Sequence, residues 1–201
     1  MDSGKLQIID PKSTYIDEET EIGQGTVIYP NTTILGKVKI GKNCEIGPNS
    51  IIQDSEIADD CVVFASVVKN SSMGNGSDIG PFSHLRGDVV IAQNVHIGNY
   101  VEMVRTKVGS GTKVGHVTYL GDAEVFENVN IGAGTITANY DGKVKNKTVI
   151  ESDVFIGADT TLVAPVKVAK GAKTGAGAVV IKDVPENTLV VGVPAQIKKK
   201  L

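Results

Sequence analysis

Ile22-Gly23-Gln24-Gly25-Thr26-Val27 is one copy of a six-residue phrase that runs through most of the chain. Ile40-Gly41-Lys42-Asn43-Cys44-Glu45, Val108-Gly109-Ser110-Gly111-Thr112-Lys113 and Thr174-Gly175-Ala176-Gly177-Ala178-Val179 repeat it. The first place is usually aliphatic, the second often Gly, and two polar residues and a small or β-branched one follow. A period of six matches neither the 3.6 of a helix nor simple strand alternation, and it signals a parallel β-helix. Six residues make one short strand and a turn, and three such units close a triangular coil. The aliphatic first residue then points inward and stacks on the residue about eighteen positions later.

Outward from those copies, the inward positions run Ile16, Ile22, Ile28, Ile34, Ile40, Ile46 and Ile52. A five-residue unit from Ile52 to Glu56 shortens one corner before Ile57 resumes the pattern, which continues through Met73, Ile79, Leu85, Ile91, Ile97 and Met103. Shortened units at Met103–Lys107 and Leu120–Glu124 lie about one coil apart, so one edge of the prism is expected to be tighter. The rhythm fails from Ala138 to Lys147 and returns at Ile150, and a polar insertion in a strict solenoid must project as a loop. The expected organisation is an arm over 1–15, a β-helix over 16–184 and a C-terminal cap with a basic tail over 185–201. Roughly nine coils at the interstrand spacing give a prism about 40 to 45 Å long.

The totals exclude several classes. No apolar run approaches the roughly 20 residues that span a membrane, and Met1-Asp2-Ser3-Gly4-Lys5 lacks the regions of a signal peptide. The chain is therefore expected to be cytoplasmic, without a membrane partner. A formal charge of -3 offers no case for nucleic acid. Aromatics are 4% and Trp is absent, as suits a core of narrow aliphatic stacks. Cys44 and Cys61 fall on small inward positions about one coil apart. Stacked strands lie roughly 4.8 Å apart, within reach of a disulfide; free buried thiols are the favoured reading for a cytosolic chain.

Three histidines are present. His84 and His96 close their units, whereas His116, in Val114-Gly115-His116-Val117-Thr118-Tyr119, takes a corner place that should face outward. Any lone histidine is more often a solvated or packed side chain than a functional one. His116 has company, however: Tyr119 on the next turn, Asn130 in the next coil, and the loop carrying Asn139, Tyr140 and Lys145. A neutral imidazole is a suitable general base near pH 7. The histidine spacing offers no metal site, both cysteines should point inward, and no phosphate-cradling glycine loop is present. Lys143, Lys145 and Lys147 read as loop charge, and Arg86 as either a surface charge or an anion clamp.

Gly115-His116-Val117-Thr118-Tyr119-Leu120-Gly121-Asp122-Ala123-Glu124 and Asn130-Ile131-Gly132-Ala133-Gly134-Thr135-Ile136-Thr137-Ala138-Asn139-Tyr140-Asp141-Gly142 carry a more specific signal. With Gly98-Asn99-Tyr100-Val101-Glu102-Met103, they resemble the acetyltransferase domain of the bifunctional UDP-N-acetylglucosamine pyrophosphorylases / glucosamine-1-phosphate N-acetyltransferases. These belong to the hexapeptide-repeat acyltransferase superfamily. The likeness is close over about residues 79 to 182 and looser before. It implies a left-handed β-helix that works as a homotrimer, with active sites between subunits and the loop near 138–147 reaching a partner. It also implies transfer of an acetyl group from acetyl-CoA to glucosamine 1-phosphate, in UDP-N-acetylglucosamine biosynthesis for the cell envelope. His116 would be the general base and Glu102 would orient the acceptor site. Arg86, Tyr119, Asn130 and Lys145 match acceptor-binding positions, with Arg86 and Lys145 suited to the sugar phosphate. Ala133, Asn139, the Tyr140 backbone, Ala158 and Ala176 match the acetyl-CoA side. No metal is implied for this domain.

Four departures from the pattern matter. Val104 stands where a phosphate-contacting lysine is usual, and strand alternation sets its neighbour Arg105 on the opposite face. Ala158 replaces a serine, so oxyanion stabilisation would fall to backbone donors. Val193 replaces an arginine for the CoA phosphates, leaving Lys198 to Lys200 as substitutes. The chain also begins directly with the β-helix, so the nucleotidyl domain is expected to be absent. Two alternatives stay open: a different amino-sugar or nucleotide-linked acceptor, and a non-catalytic β-helix scaffold.

Overall fold

The computed structural model describes residues 4–201. Its described residues form strands and turns without a helix, so no helix is long and apolar enough to cross a membrane. The architecture is a left-handed parallel β-helix of about 10 turns. Most strands are only two or three residues long, and each pairs with the strand one coil later. Ile28 lies on Ile46, Ile46 on Val63, Val63 on Ile79 and Ile79 on Ile97. A strand ends after two residues because the next corner requires a left-handed backbone. Asn31, Asn43, Asn49, Asp60, Asn94 and Asn128 supply it with positive φ, a conformation that Asn and Asp tolerate best after Gly.

The inward residues form one continuous column. Ile28, Ile34, Ile46, Ile52, Leu85, Ile97, Met103 and Leu120 are wholly buried, each contributing about 1.5–3 kcal/mol by leaving water. Cys44 and Cys61 are buried and free, and their thiols donate to the Ala58 and Gly74 carbonyls of the following coils at 3.0 and 3.2 Å. Serine and threonine hydroxyls fill the same role in neighbouring coils, as Thr26 does toward the Gly41 carbonyl.

Three faces make the prism. The first includes Asp78–Ile79, His96–Ile97, Lys113–Val114, Asn130–Ile131 and Phe155–Ile156. The second includes Glu102–Val104, Tyr119–Gly121 and Ile136–Ala138. The third includes Lys107–Val108, Ala123–Val125 and Thr148–Ile150. The edge between the second and third faces is the tight one. There Asp54, Asn70, Arg105 and Asp122 take left-handed φ values of 46, 47, 46 and 51° respectively.

Two boundaries differ from the sequence expectation. Gln7–Ile8 already pairs with Val27–Ile28, so the coil begins inside the stretch assigned to an arm. Thr188–Val191 continues the first face in parallel with Lys173–Thr174, and only Gln196–Lys200 turns back antiparallel on it. These strands account for the count exceeding nine coils. They escaped notice because neither carries the glycine-punctuated phrase. The inserted loop stretches the step from Ile131 to Ile156 without breaking the pairing. Its residues fold back on themselves: the Asn146 amide donates to the Asn139 carbonyl at 2.7 Å, and the Asp141 carboxylate accepts the Lys143 and Val144 amides at 2.8 Å each. Those amides, Val144 first, hold the Asp141 carboxyl below the usual aspartate range.

Candidate active site

His116 occupies the edge between the first and second faces, where the chain leaves Lys113–Val114 and enters Tyr119–Gly121. It is exposed, as its corner place requires. Backbone bonds stack this edge residue by residue. Val117 N donates to the Asn99 carbonyl at 3.0 Å, Gly134 N to His116 at 3.0 Å, Asp159 N to Ala133 at 2.7 Å and Gly177 N to Ala158 at 2.8 Å. Asn99, His116, Ala133, Ala158 and Ala176 therefore lie one above another. Gly115 and Gly157 permit this closeness, since a Cβ on either would sit 2.7 Å from the backbone nitrogen of Ala133 or Ala176. Toward the C-terminal end, His116 is followed by three methyl groups in succession.

Toward the other end the same edge carries large apolar residues. Phe82, Tyr100 and Val117 are about 60, 57 and 59% exposed and hold φ values of 62, 56 and 58°. The Phe82 and Tyr100 rings stack with centroids 5.4 Å apart. A left-handed backbone costs such residues about 1–2 kcal/mol each, most unusually for the β-branched Val117.

The second face gathers most of the remaining candidates. Glu102 stacks between His84 and Tyr119, and Val104 between Arg86 and Gly121. Arg86 grips Glu102 through Nε at 2.7 Å and Nη2 at 2.5 Å. A Cβ on Gly121 would meet the Tyr119 hydroxyl at 2.5 Å and the Asn139 Nδ2 at 2.6 Å, so these two side chains share the space that Gly121 leaves. Asn139 is buried and donates through Nδ2 to the Asp122 carboxylate. Asp122 also receives Arg105 Nε at 2.6 Å and Nη2 at 2.8 Å. The Arg105 guanidinium, followed by the Asn139 amide and the nearby Lys145 charge, holds the Asp122 carboxyl below its ordinary value. Arg105, Asp122, Lys145, Asn146 and Lys147 line a recess of about 220 Å³.

Asn130 is set apart from this group on the first face, between Lys113 and Phe155. Tyr140 projects into solvent. Within one chain the candidates thus form an edge set (His116, Ala133, Ala158, Ala176) and a second-face set (Arg86, Glu102, Tyr119, Asn139, Lys145). Among the described residues no three His, Cys, Asp or Glu side chains come together as a metal site.

Residues 11–108 match the family described as the GMPPB C-terminal domain, and residues 147–182 match the hexapeptide repeat of succinyl-transferase. The bifunctional protein GlmU of Exiguobacterium sp. is 49% identical over 195 residues, 97% of this chain and 43% of its own length. That of Thermosipho africanus is 50% identical over 192 residues, 96% of this chain and 43% of its own length. Nearly the whole chain is thus similar to these bifunctional proteins, and its C-terminal part to a hexapeptide repeat. The chain spans less than half the length of these bifunctional relatives. Two solved UDP-N-acetylglucosamine acyltransferases share the fold over 96% of the chain. The Arabidopsis structure, 74% covered, has TM-score 0.64 at 19% identity. The Francisella novicida structure, 70% covered, has 0.62 at 16%.

One sequence expectation needs correcting. Strand alternation sent Arg105 to the face opposite Val104, yet the strand stops at Val104 and Arg105 sits on the corner with φ 46°. Alternation does not apply there, and the guanidinium turns out toward Asp122 and Lys145. Val104 is packed at 3% exposure.

Sequence reasoning also passed over two other groups. Asp122 joins Arg105 to Asn139, and the seventeen-residue spacing of Arg105 and Asp122, one coil, was the available signal. His84 is half-buried beside Glu102, with its Nε2 buried and without a hydrogen-bond partner. Burial lowers its pKa, favouring the neutral ring. His96 pairs with Asp78 at 2.7 Å on the first face. Lys147 pairs with Glu124, and both Lys145 and Lys147 line the recess.

Proposed function

We propose that this chain is an acetyl-CoA-dependent N-acetyltransferase that converts glucosamine 1-phosphate to N-acetylglucosamine 1-phosphate. The observation that carries the reading is the exposed His116 at the head of the alanine strip Ala133, Ala158 and Ala176. Methyl groups leave a shallow channel along which a narrow pantetheine chain can lie, with its thioester brought up to the imidazole. The relatives named GlmU support the same assignment through nearly the whole of this chain.

In this reaction the His116 imidazole takes a proton from the neutral acceptor amine as that nitrogen attacks the thioester carbon. The tetrahedral intermediate collapses with cleavage of the C–S bond, and the imidazolium returns the proton to the departing thiolate. Ala158 has no hydroxyl to offer the oxyanion, so backbone donors carry that role. Arg86 and Lys145 receive the acceptor phosphate, Glu102 and Tyr119 the sugar, and Asn139 with the Tyr140 backbone the donor side. Holding both substrates together supplies much of the rate.

The reading includes a cytoplasmic homotrimer. Phe82, Tyr100 and Val117 give a second copy an apolar seam beside His116, and Asn130, apart from the second-face set in one chain, would complete a neighbour's site. A coupled thiol-release assay with acetyl-CoA and glucosamine 1-phosphate tests the reaction, and sedimentation tests the trimer. Absence of thiol release, with no heat of acetyl-CoA binding, would return the chain to the scaffold reading. The buried Val104 favours a second reading, transfer to another amino-sugar acceptor, which the same assay separates with a panel of amines.

A further inference from the structure

The tight edge holds an arginine where its geometry favours a different residue. Its other left-handed positions include Asp54, Asn70, Asp88 and Asp122, types that tolerate this backbone. Arg105 alone among these carries a long side chain in that conformation, and a strained residue kept against local preference points toward a site. Asp122 takes two of its five N–H donors in a fork, and the remaining donors are free to face the recess shared with Lys145, Asn146 and Lys147. Lys147 is answered by Glu124, so the recess keeps the Lys145 charge together with the unspent edge of the guanidinium. The Asp122 carboxylate that fixes Arg105 also fixes Asn139, which ties the recess to the second-face set.

We infer that Arg105 joins Arg86 and Lys145 in the anion seat for the phosphoryl group of the acceptor, with Asp122 as the positioning residue that aims the guanidinium. Arg105 thereby supplies, from the corner, the cation that Val104 cannot supply from the strand. A planar guanidinium held by a carboxylate offers a phosphate paired, directional donors, where a flexible ammonium offers a point charge. This inference rests on the reading of the chain as an amino-sugar phosphate acetyltransferase.

The test compares glucosamine 1-phosphate with glucosamine as acceptors in wild type, Arg105→Gln and Arg105→Lys, alongside calorimetric binding of glucosamine 1-phosphate to each. The ratio of kcat/KM for the phosphorylated over the plain sugar should fall at least tenfold in Arg105→Gln. Arg105→Lys should recover part of it, and binding should weaken in parallel while the thermal midpoint stays within a few degrees of wild type. An unchanged ratio, or equal loss on both acceptors, overturns the inference. If wild type acetylates neither sugar but Arg105→Gln still abolishes glucosamine 1-phosphate binding, the anion seat stands and the assigned reaction fails. Should wild type bind no glucosamine 1-phosphate at all, both fall.

Discussion

Two edges of this prism share one backbone and carry opposite chemistry. The edge through His116 is mostly apolar, with exposed Phe82, Tyr100 and Val117 before the imidazole and alanines after it, although Asp159 also sits among them. The edge through Arg105 is charged, with Asp54, Asp88, Asp122 and the loop lysines along it. Corner geometry cannot explain the contrast, since both edges use left-handed turns at coil spacing. Under the proposed function the side chains match what each edge would meet: on one, a thin apolar chain and another subunit; on the other, an anion. The second face between them, with Arg86, Glu102 and Tyr119, spans the gap.

Removing the imidazole should break this division most sharply. His116→Ala is expected to lower kcat by roughly 10²–10⁴-fold, the range of general-base catalysis, with little change in acetyl-CoA affinity measured by calorimetry. A wild-type rate in the thiol-release assay would remove His116 from the chemistry. Next in size is the shared core, which should not distinguish the edges. Leu120→Ala empties a wholly buried position and should cost about 2–5 kcal/mol, read as a lower thermal midpoint.

Filling the methyl strip sharpens the comparison. Ala158→Leu should weaken acetyl-CoA binding by about 10- to 100-fold, equivalent to the roughly 1–3 kcal/mol of an overpacked contact, while leaving thermal stability near wild type because Ala158 faces outward. Equal acetyl-CoA affinity in the variant would mean that the strip is not the donor channel.

The smallest expected effect belongs to the charged edge. The Asp122 carboxyl is depressed below its ordinary value of 3.8, chiefly by Arg105. Its contribution is therefore present above that value and disappears as pH falls through the lower folded value. Asp122→Asn should thus reduce stability at pH 7 by up to about 1 kcal/mol, as for a partly exposed pair, and the difference from wild type should close in acid. Thermal midpoints of both proteins across this range give the answer; a constant gap at all pH values would mean that the carboxylate charge is not what stabilises the edge.

The legible parts of the sequence were those fixed by the period. Ile40, Ile97 and Leu120 could be set in the core and His116 at a corner because six-residue spacing determines both. Pairings between coils were harder to read. Val63 lies sixteen residues before Ile79, whereas Ile28 lies eighteen before Ile46, so a side-chain pair such as Arg86 and Glu102 depends on where short units fall. Arg105 was misplaced for a related reason: the end of a strand is a backbone event, and arginine does not advertise a left-handed turn as Asn or Gly does. Gln7–Ile8 went unseen because Asp10-Pro11-Lys12-Ser13 turns the chain without the repeating phrase.

Between Ala138 and Thr148 the chain makes an excursion and then rejoins the stack in step, with Ile131 seated on Ile156 and Val125 on Ile150. Because each turn of a solenoid leans only on its neighbours, such a detour can grow, shrink or be exchanged at little cost to the column that hosts it. Lys145 rides on this detour, whereas His116 is built into the column itself. Under the proposed function, evolution can therefore revise which guest is welcomed by editing a handful of residues, while the imidazole stays where the scaffold put it.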